Sequence, residues 1–156
     1  MLILLIAGSL FGCAAKNMPG KDVAEEHLQQ DLDDLQFLVN WLEESEYPYI
    51  VFDRKESTAF IKFEHIPIPD EIRPVIKRLF EKSCYIQIAY DREDHTISFE
   101  YWRSVHDQDC GIVYSLDDTM LPDVGYMTQC EPLSIEGWYY YFTDYNKWRV
   151  GETTAY

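Results

Sequence analysis

The sequence predicts an α+β fold in which an antiparallel sheet of about five to six strands is covered by two amphipathic helices. Two segments repeat apolar residues at the helical period, and several other short segments alternate apolar and polar residues. The connections between the alternating segments are short, which favours antiparallel pairing. Because an antiparallel sheet buries one apolar face, the two helices are expected to pack on that face.

The first helix is predicted from about residue 23 to residue 44. Its apolar residues recur at steps of four, three, four and three, namely Leu28, Leu32, Leu35, Val39 and Leu42. Asp22 and Glu25 have the spacing of a capping box at its start. The second helix is predicted from about residue 71 to residue 82, with Pro74 near the first turn, where proline is tolerated.

The strands are predicted where apolar residues recur with a period of two. The clearest hairpin joins residues 85–90 to residues 96–102 through the polar turn 91–95. Four further strands are predicted, at residues 49–52, 59–66, 112–116 and 138–142. We interpret residues 117–130 as a loop, because Pro122 and Gly125 interrupt any regular pattern there.

An apolar run without charged residues occupies positions 2–12. At ~1.5 Å per residue, a helix of this length is about half as long as the hydrocarbon core of a bilayer is thick, so it is too short to span. The run is typical of a signal peptide. Its end, Leu10-Phe11-Gly12-Cys13, resembles the lipobox of bacterial lipoproteins. The resemblance implies that residues 1–12 are removed and that Cys13 is acylated as the new N-terminus.

The resemblance also implies a membrane-anchored organisation. Residues 13–21 are expected to be the lipidated cysteine and a flexible tether, and residues 22–156 a single domain. Ala14 stands where enteric lipoproteins retained in the inner membrane carry Asp, so the resemblance favours the periplasmic side of the outer membrane. The alternatives are an ordinary cleaved signal peptide and a start codon placed too far downstream.

Three further cysteines follow Cys13, and an oxidising compartment would allow one pair of them to form a disulfide. Cys84 and Cys110 are expected on strands that flank a third strand, which would separate their Cα atoms by more than the ~7 Å limit for a disulfide. We therefore expect Cys110 to pair with Cys130. The alternative is that all three are small buried apolar residues.

The net charge of −15 is distributed unevenly along the chain. Residues 22–46 hold nine acids and no Lys or Arg, residues 51–105 hold ten acids and nine bases, and residues 107–156 hold nine acids and two bases. Such a surface would repel nucleic acid, which is therefore excluded as a partner. It would attract a basic protein, although the charge could also serve solubility alone.

The aromatic stretch near the C-terminus is the main candidate for a recognition surface. Rings lie on both faces of the last predicted strand, whereas a strand with one exposed face should carry them on one face only. Either the 117–130 loop and the C-terminal tail cover Tyr139 and Tyr141, or these rings are exposed and bind a partner. The predicted partner-binding residues are Trp138, Tyr139, Tyr141, Asp144, Tyr145 and Trp148.

Catalytic motifs are not recognisable in the sequence, and no catalytic residue, metal or cofactor is predicted. Residues 91–95 and 106–109 place His beside carboxylates, but we interpret both segments as solvated turns. His27 and His65 are not expected to have a second metal ligand. The sequence therefore predicts a small acidic binding module, of immunity or inhibitor type, and not an enzyme. The alternative is a glycan-binding or hydrolytic envelope enzyme, which would require two carboxylates facing one cleft.

Overall fold

The structure, a computed structural model, describes residues 18–56, 58–61, 64–117, 121–122 and 124–149, with only the backbone of Trp148. These residues form one eight-stranded antiparallel sheet and three helices. The helices are α1 (Lys21–Glu44), α2 (Arg73–Glu81) and α3 (Tyr145–Arg149). The strands are β1 (Tyr49–Asp53), β2 (Thr58–Ile61), β3 (Glu64–Pro67), β4 (Gln87–Asp91), β5 (Thr96–Arg103), β6 (Gln108–Ser115), β7 (Met127–Pro132) and β8 (Trp138–Asp144).

The α+β class and the antiparallel sheet are confirmed, but the predicted number of five to six strands is wrong. The strand order across the sheet is β3-β2-β1-β4-β5-β6-β8-β7. The segment predicted as one strand at 59–66 contains two paired strands, β2 and β3. Strand β7 lies where a loop was predicted, because its sequence MTQCEP has no clear alternation and forms a sheet edge.

Helix α1 is held against the sheet by the apolar stripe that the sequence predicted. Four of the five predicted apolar residues, Leu28, Leu35, Val39 and Leu42, are buried in the main core, and Leu32 is partly buried against it. The predicted capping box is wrong, because the helix begins after Gly20 without a side-chain cap. Glu25 instead accepts hydrogen bonds from the backbone N–H of Ser134, at 3.0 Å, and from the Ser134 hydroxyl.

The residues just before α1 are attached to the folded domain. The Tyr140 hydroxyl donates a hydrogen bond of 3.1 Å to the carbonyl oxygen of Pro19. Lys21 is already the first residue of α1, and it forms an ion pair with Glu131. The prediction of a flexible tether through residue 21 is therefore wrong for residues 18–21. Cys13 and the predicted signal peptide lie outside the described residues.

The core has two parts, one on each face of the sheet. The main cluster joins α1 and α2 to one face and includes Phe52, Ile88, Phe99, Ile112 and Trp138. A smaller cluster on the other face contains Val113, Val124, Met127, Cys130 and Tyr141. Burying each large apolar side chain contributes about 1.5–3 kcal/mol, so both clusters contribute to the stability of the fold.

The predicted disulfide between Cys110 and Cys130 is wrong, because both residues are buried free thiols. Cys110 on β6 pairs with Phe142, and Cys130 on β7 pairs with Tyr141, so strand β8 separates the two cysteines. Two strand spacings exceed the ~7 Å limit between disulfide-bonded Cα atoms. The two cysteines also belong to the clusters on opposite faces of the sheet.

Candidate functional site

The aromatic strand β8 does not present the predicted recognition surface. Trp138 lies in the main core, and Tyr141 lies in the cluster on the opposite face, where both are buried. The prediction that these two rings are exposed for partner binding is therefore wrong. Tyr139 is partly buried and packs against the same cluster as Tyr141.

The cover over Tyr139 and Tyr141 comes from the segment that precedes β7. Leu121, Val124 and Tyr126 pack in the cluster that contains Tyr141. This contact confirms the part of the prediction that assigned the cover to the 117–130 segment. The C-terminal tail, which was the other predicted cover, lies outside the described residues.

Asp144 and Tyr145 have structural contacts at the end of β8. The Asp144 carboxylate accepts hydrogen bonds from the backbone N–H groups of Asn146, at 3.1 Å, and Lys147, at 3.3 Å. This bonding pattern is that of a helix cap, here at the start of α3. The Tyr145 ring stacks on Tyr126 with a centroid separation of 6.1 Å. Trp148 lies in α3, and only its backbone is described.

An ionic cluster that sequence analysis missed lies on the sheet face opposite the helices. The register between β5 and β6 shifts between Glu100 and Trp102. Glu100 pairs with Gly111 and Arg103 pairs with Asp109, so the shift places Glu100, Arg103 and Asp109 on one face. A regular strand would have pointed Glu100 and Arg103 to opposite faces. No local sequence signal marks this bulge.

The contacts within this cluster are short, and they join the buried Glu100 to the partly exposed Arg103. Arg103 donates from Nε to Glu100 Oε1 at 2.6 Å and from Nη2 to Glu100 Oε2 at 2.5 Å, and Nη2 also reaches Gln87 at 3.1 Å. Burial raises the pKa of Glu100 to about 7 despite the opposing effect of Arg103. Burial also raises the pKa of Asp109, to which the Tyr145 hydroxyl is hydrogen-bonded.

The Glu100–Asp109 pair tests the hydrolase alternative, which requires two carboxylates facing one cleft. The carboxylates share a face, but their side chains are only 4% and 5% exposed. Both Glu100 oxygens accept hydrogen bonds from Arg103, and the ring of Tyr141 lies over Gly111 beside them. This arrangement favours a structural ion pair over a proton donor and base that could reach a substrate. The prediction that Asp109 is a solvated turn residue is wrong.

The outer face of α1 presents acids and one aromatic ring to solvent. Asp22, Glu26, Asp33 and Glu44 are exposed and lie on one side of the helix, since their spacings of four, seven and eleven residues return to the same face. Phe37 lies in the same stripe and is 46% exposed. We call this set the α1 outer face. Its acids were visible in the sequence, but Phe37 was not singled out there.

Comparisons with protein-family models, with curated proteins and with solved structures give no match for this chain. Within the described part of the chain, no group of three or more His, Cys, Asp and Glu side chains could hold a metal ion. The described helices include none with the length and apolar character needed to cross a membrane. The functional argument therefore depends on the surfaces of the domain itself.

Proposed function

We propose that this protein is a lipid-anchored protein of the bacterial cell envelope whose domain binds a basic protein through the α1 outer face. The observation that carries the proposal is the pairing of Phe37 with exposed acids on a helix face that the fold leaves in solvent. In this proposal the α1 outer face takes the role that the sequence analysis gave to the aromatic strand β8, since Trp138, Tyr140 and Tyr141 of β8 are buried.

The charge of α1 is one-sided because the helix carries eight acids and Lys21 as its single base. Acids at its flanks are used within the domain, as in the Asp34–Arg78 ion pair of 2.6 Å. The acids of the α1 outer face project away from the sheet. A field of one sign attracts an oppositely charged partner and raises its association rate, with strong dependence on salt.

Five of the ten Lys and Arg residues described outside α1 form ion pairs with acids. Ion pairs join Arg73 to Asp70, Lys77 to Glu81, Arg103 to Glu100 and Arg149 to Asp107. These pairs reduce the positive charge that could offset the α1 outer face. The domain therefore presents a negative face that fits a partner rich in Lys and Arg.

Phe37 gives this charged face an apolar contact. Phe37 belongs to neither core cluster and is 46% exposed, so burial of its exposed part against a partner would favour binding. Aromatic anchors surrounded by charged rims are typical of tight protein interfaces. A basic enzyme inhibited by occlusion of its cationic site is the kind of partner that suits this surface.

Site-specific crosslinking tests the docking surface. Phe37→benzoylphenylalanine places a photoreactive ring at the α1 outer face, and Val105→benzoylphenylalanine is the matched control, because Val105 is 92% exposed in the loop between β5 and β6. We expect position 37, and not position 105, to crosslink a basic protein, with a yield that falls as salt rises. Absence of an adduct at 37, or identical adducts at both positions, would contradict the proposal.

Lipid attachment is tested separately through Cys13→Ser. The variant should lose metabolic acyl label and move from the membrane fraction to the soluble envelope fraction, because it lacks the sulfur that would carry the lipid. Cys110→Ser is the matched control, since that thiol is buried inside the domain. Acyl label retained in the Cys13→Ser variant would exclude the lipobox resemblance as a functional signal.

A further inference from the structure

The start of α1 is fixed at one end of the sheet, where β6 begins and β8 ends. The carbonyl oxygen of Pro19 accepts hydrogen bonds from the Tyr140 hydroxyl, at 3.1 Å, and from the Cys110 thiol, at 3.7 Å. Cys110 is the third residue of β6, and it pairs with Phe142 near the end of β8. The described chain therefore enters the domain at this end, and α1 runs from here over about 36 Å, at ~1.5 Å per residue.

The turn between β5 and β6, residues 104–107, lies at the same end, and we call it the β5–β6 tip. Helix α3 holds this turn in place. The Asn146 side-chain amide donates a hydrogen bond of 2.8 Å to the carbonyl oxygen of His106, and the first backbone N–H of α3 donates one of 3.0 Å to the carbonyl oxygen of Asp107. Val105 in this turn is 92% exposed. The tip is therefore a fixed turn that displays an apolar side chain.

The two ends of the sheet differ in charge. The tip end holds three bases and one acid within residues 103–107 and 145–149, and the acids nearby, at positions 100, 109 and 144, are buried. At the opposite end, residues 43–47 and 91–95 hold six acids and one base. That base, Arg92, donates a hydrogen bond of 2.5 Å to the carbonyl oxygen that follows α1, so both acidic segments lie where α1 ends.

We propose that the tip end of the domain, formed by the β5–β6 tip, α3 and the start of α1, rests on the surface of a lipid bilayer with anionic headgroups. This placement rests on the lipid anchor at Cys13 that is proposed above. Only four residues separate Cys13 from Met18, where the described chain begins, so their Cα atoms are at most about 18 Å apart. A connection half as long as α1 keeps the end at which the chain enters the domain beside the bilayer.

The side chains exposed at this end suit a headgroup region. Lys147 and Arg149 are exposed, and a base is attracted to an anionic leaflet within about a Debye length, ~8 Å. Val105 and Met18 are two of the four large apolar side chains that are exposed in the described chain, and contact with lipid would remove them from water. The acids of the opposite end would be held beyond the range of strong repulsion.

This orientation leaves the α1 outer face open to a protein. Phe37 lies sixteen residues beyond the start of α1, which places it about 24 Å along the helix from the tip end. A basic protein could therefore reach Phe37 while the tip end contacts the bilayer.

Photocrosslinking to lipid tests the orientation in the full-length lipidated protein. The protein is reconstituted in vesicles of phosphatidylethanolamine and phosphatidylglycerol with benzoylphenylalanine in place of Val105. The matched control carries it in place of Glu93, which is also exposed in a hairpin turn but lies at the opposite end. We expect lipid adducts, identified by mass, at position 105 and none above background at position 93.

Charge variants in the same vesicles test the contribution of the headgroups. Lys147→Gln should lower the yield of lipid adduct at position 105 by up to about fivefold, and added salt should lower it as well. Lys77→Gln is the matched control, because Lys77 is an exposed base on α2, away from the tip end, and this variant should keep the full yield.

Flotation of the vesicles separates the two proposals, because it reports the lipid anchor alone. Protein that fails to float contradicts the anchor and the orientation together. Protein that floats but gives no lipid adduct at position 105, equal adducts at positions 105 and 93, or the same yield in Lys147→Gln as in Lys77→Gln overturns the orientation and leaves the anchor intact.

Discussion

The two acid-rich regions of the sequence have opposite positions in the folded domain. In α1, the acids of the outer face are exposed, and the aromatic residue among them is half in solvent. In β6 and β8, the acids Asp109 and Asp144 are buried, as are the rings of Trp138, Tyr140 and Tyr141. The difference follows from geometry, since α1 packs by one face, whereas β8 is covered on both faces and on both edges.

This contrast shows that charge and aromatic content along a sequence do not by themselves locate a surface. A strand between two neighbours loses its edges to hydrogen bonding, so its rings are exposed only where a face is uncovered. A helix that packs on a sheet by one apolar face keeps a solvent side. An acidic helix is therefore a more dependable indicator of a charged docking face than an acidic strand with many rings.

The largest expected effect is the loss of stability in Trp138→Ala. Because Trp138 is buried between the sheet and the helices, truncation should cost about 3–5 kcal/mol in the free energy of unfolding, measured with urea. Phe37→Ala is the comparison from the exposed region. A Trp138→Ala variant with nearly wild-type stability would remove the distinction between the interior strand and the exposed helix.

The second effect concerns the buried carboxylates. The folded-state pKa of Glu100 is raised from 4.5 to about 7, so the folded protein binds the proton more tightly than the unfolded chain. Stability should be greatest below about pH 4.5 for this group and should fall by about 3 kcal/mol as pH rises to about 7. Glu100→Gln should remove this part of the fall.

The control for the pH experiment is Glu44→Gln, the same chemical change on the α1 outer face. Urea unfolding at several pH values measures both variants against the wild type. Asp109 has a pKa raised in the same direction, so Glu100→Gln should flatten the profile without abolishing it. A Glu100→Gln profile as steep as that of the wild type would show that Glu100 does not control this pH dependence.

The third effect tests how closely the interior face is packed. A Cβ atom at Gly111 would lie 2.8 Å from a ring carbon of Tyr141 and would clash with the carbonyl oxygen of Phe99. Because backbone cannot move aside easily, Gly111→Ala should cost about 1–3 kcal/mol of stability. Gly125→Ala is the matched control, since its added Cβ would meet no described atom within 4 Å beyond its chain neighbours. Equal stability of the two variants would contradict the close approach of Tyr141.

Much of the fold was predictable because it depends on local periodicity. The apolar repeat of α1 and the alternation from Gln87 to Arg103 correspond to elements whose inward residues are buried. Strand β7 was not predictable, because an edge strand with one paired neighbour needs no strict alternation. The prediction of a Cys110–Cys130 disulfide was wrong for a related reason. The strand order, which places β8 between the two cysteines, could not be predicted from local sequence.

The candidate sites were harder to predict because they depend on contacts distant in sequence. The Glu100–Arg103 pair requires a bulge that the sequence does not mark, and the Asn146–His106 hydrogen bond that holds the β5–β6 tip joins residues 40 positions apart. Exposure of Phe37 depends on the rotation of α1 about its axis. The solvent exposure of most α1 acids was predictable, because Asp and Glu are rarely buried unless they are paired.

The smallest expected effect on stability is the most informative about function. Phe37→Ala removes a half-exposed ring, so the free energy of unfolding should fall by only about 1 kcal/mol, whereas partner affinity should fall by about 2 kcal/mol if the ring is an anchor. Asp33→Asn should mainly slow association and reduce its salt dependence. Tyr141→Ala should instead lower stability, with reduced binding explained by unfolding alone. If Phe37→Ala leaves both stability and capture of a basic partner unchanged, α1 does not dock through Phe37, and its exposed acids serve solubility.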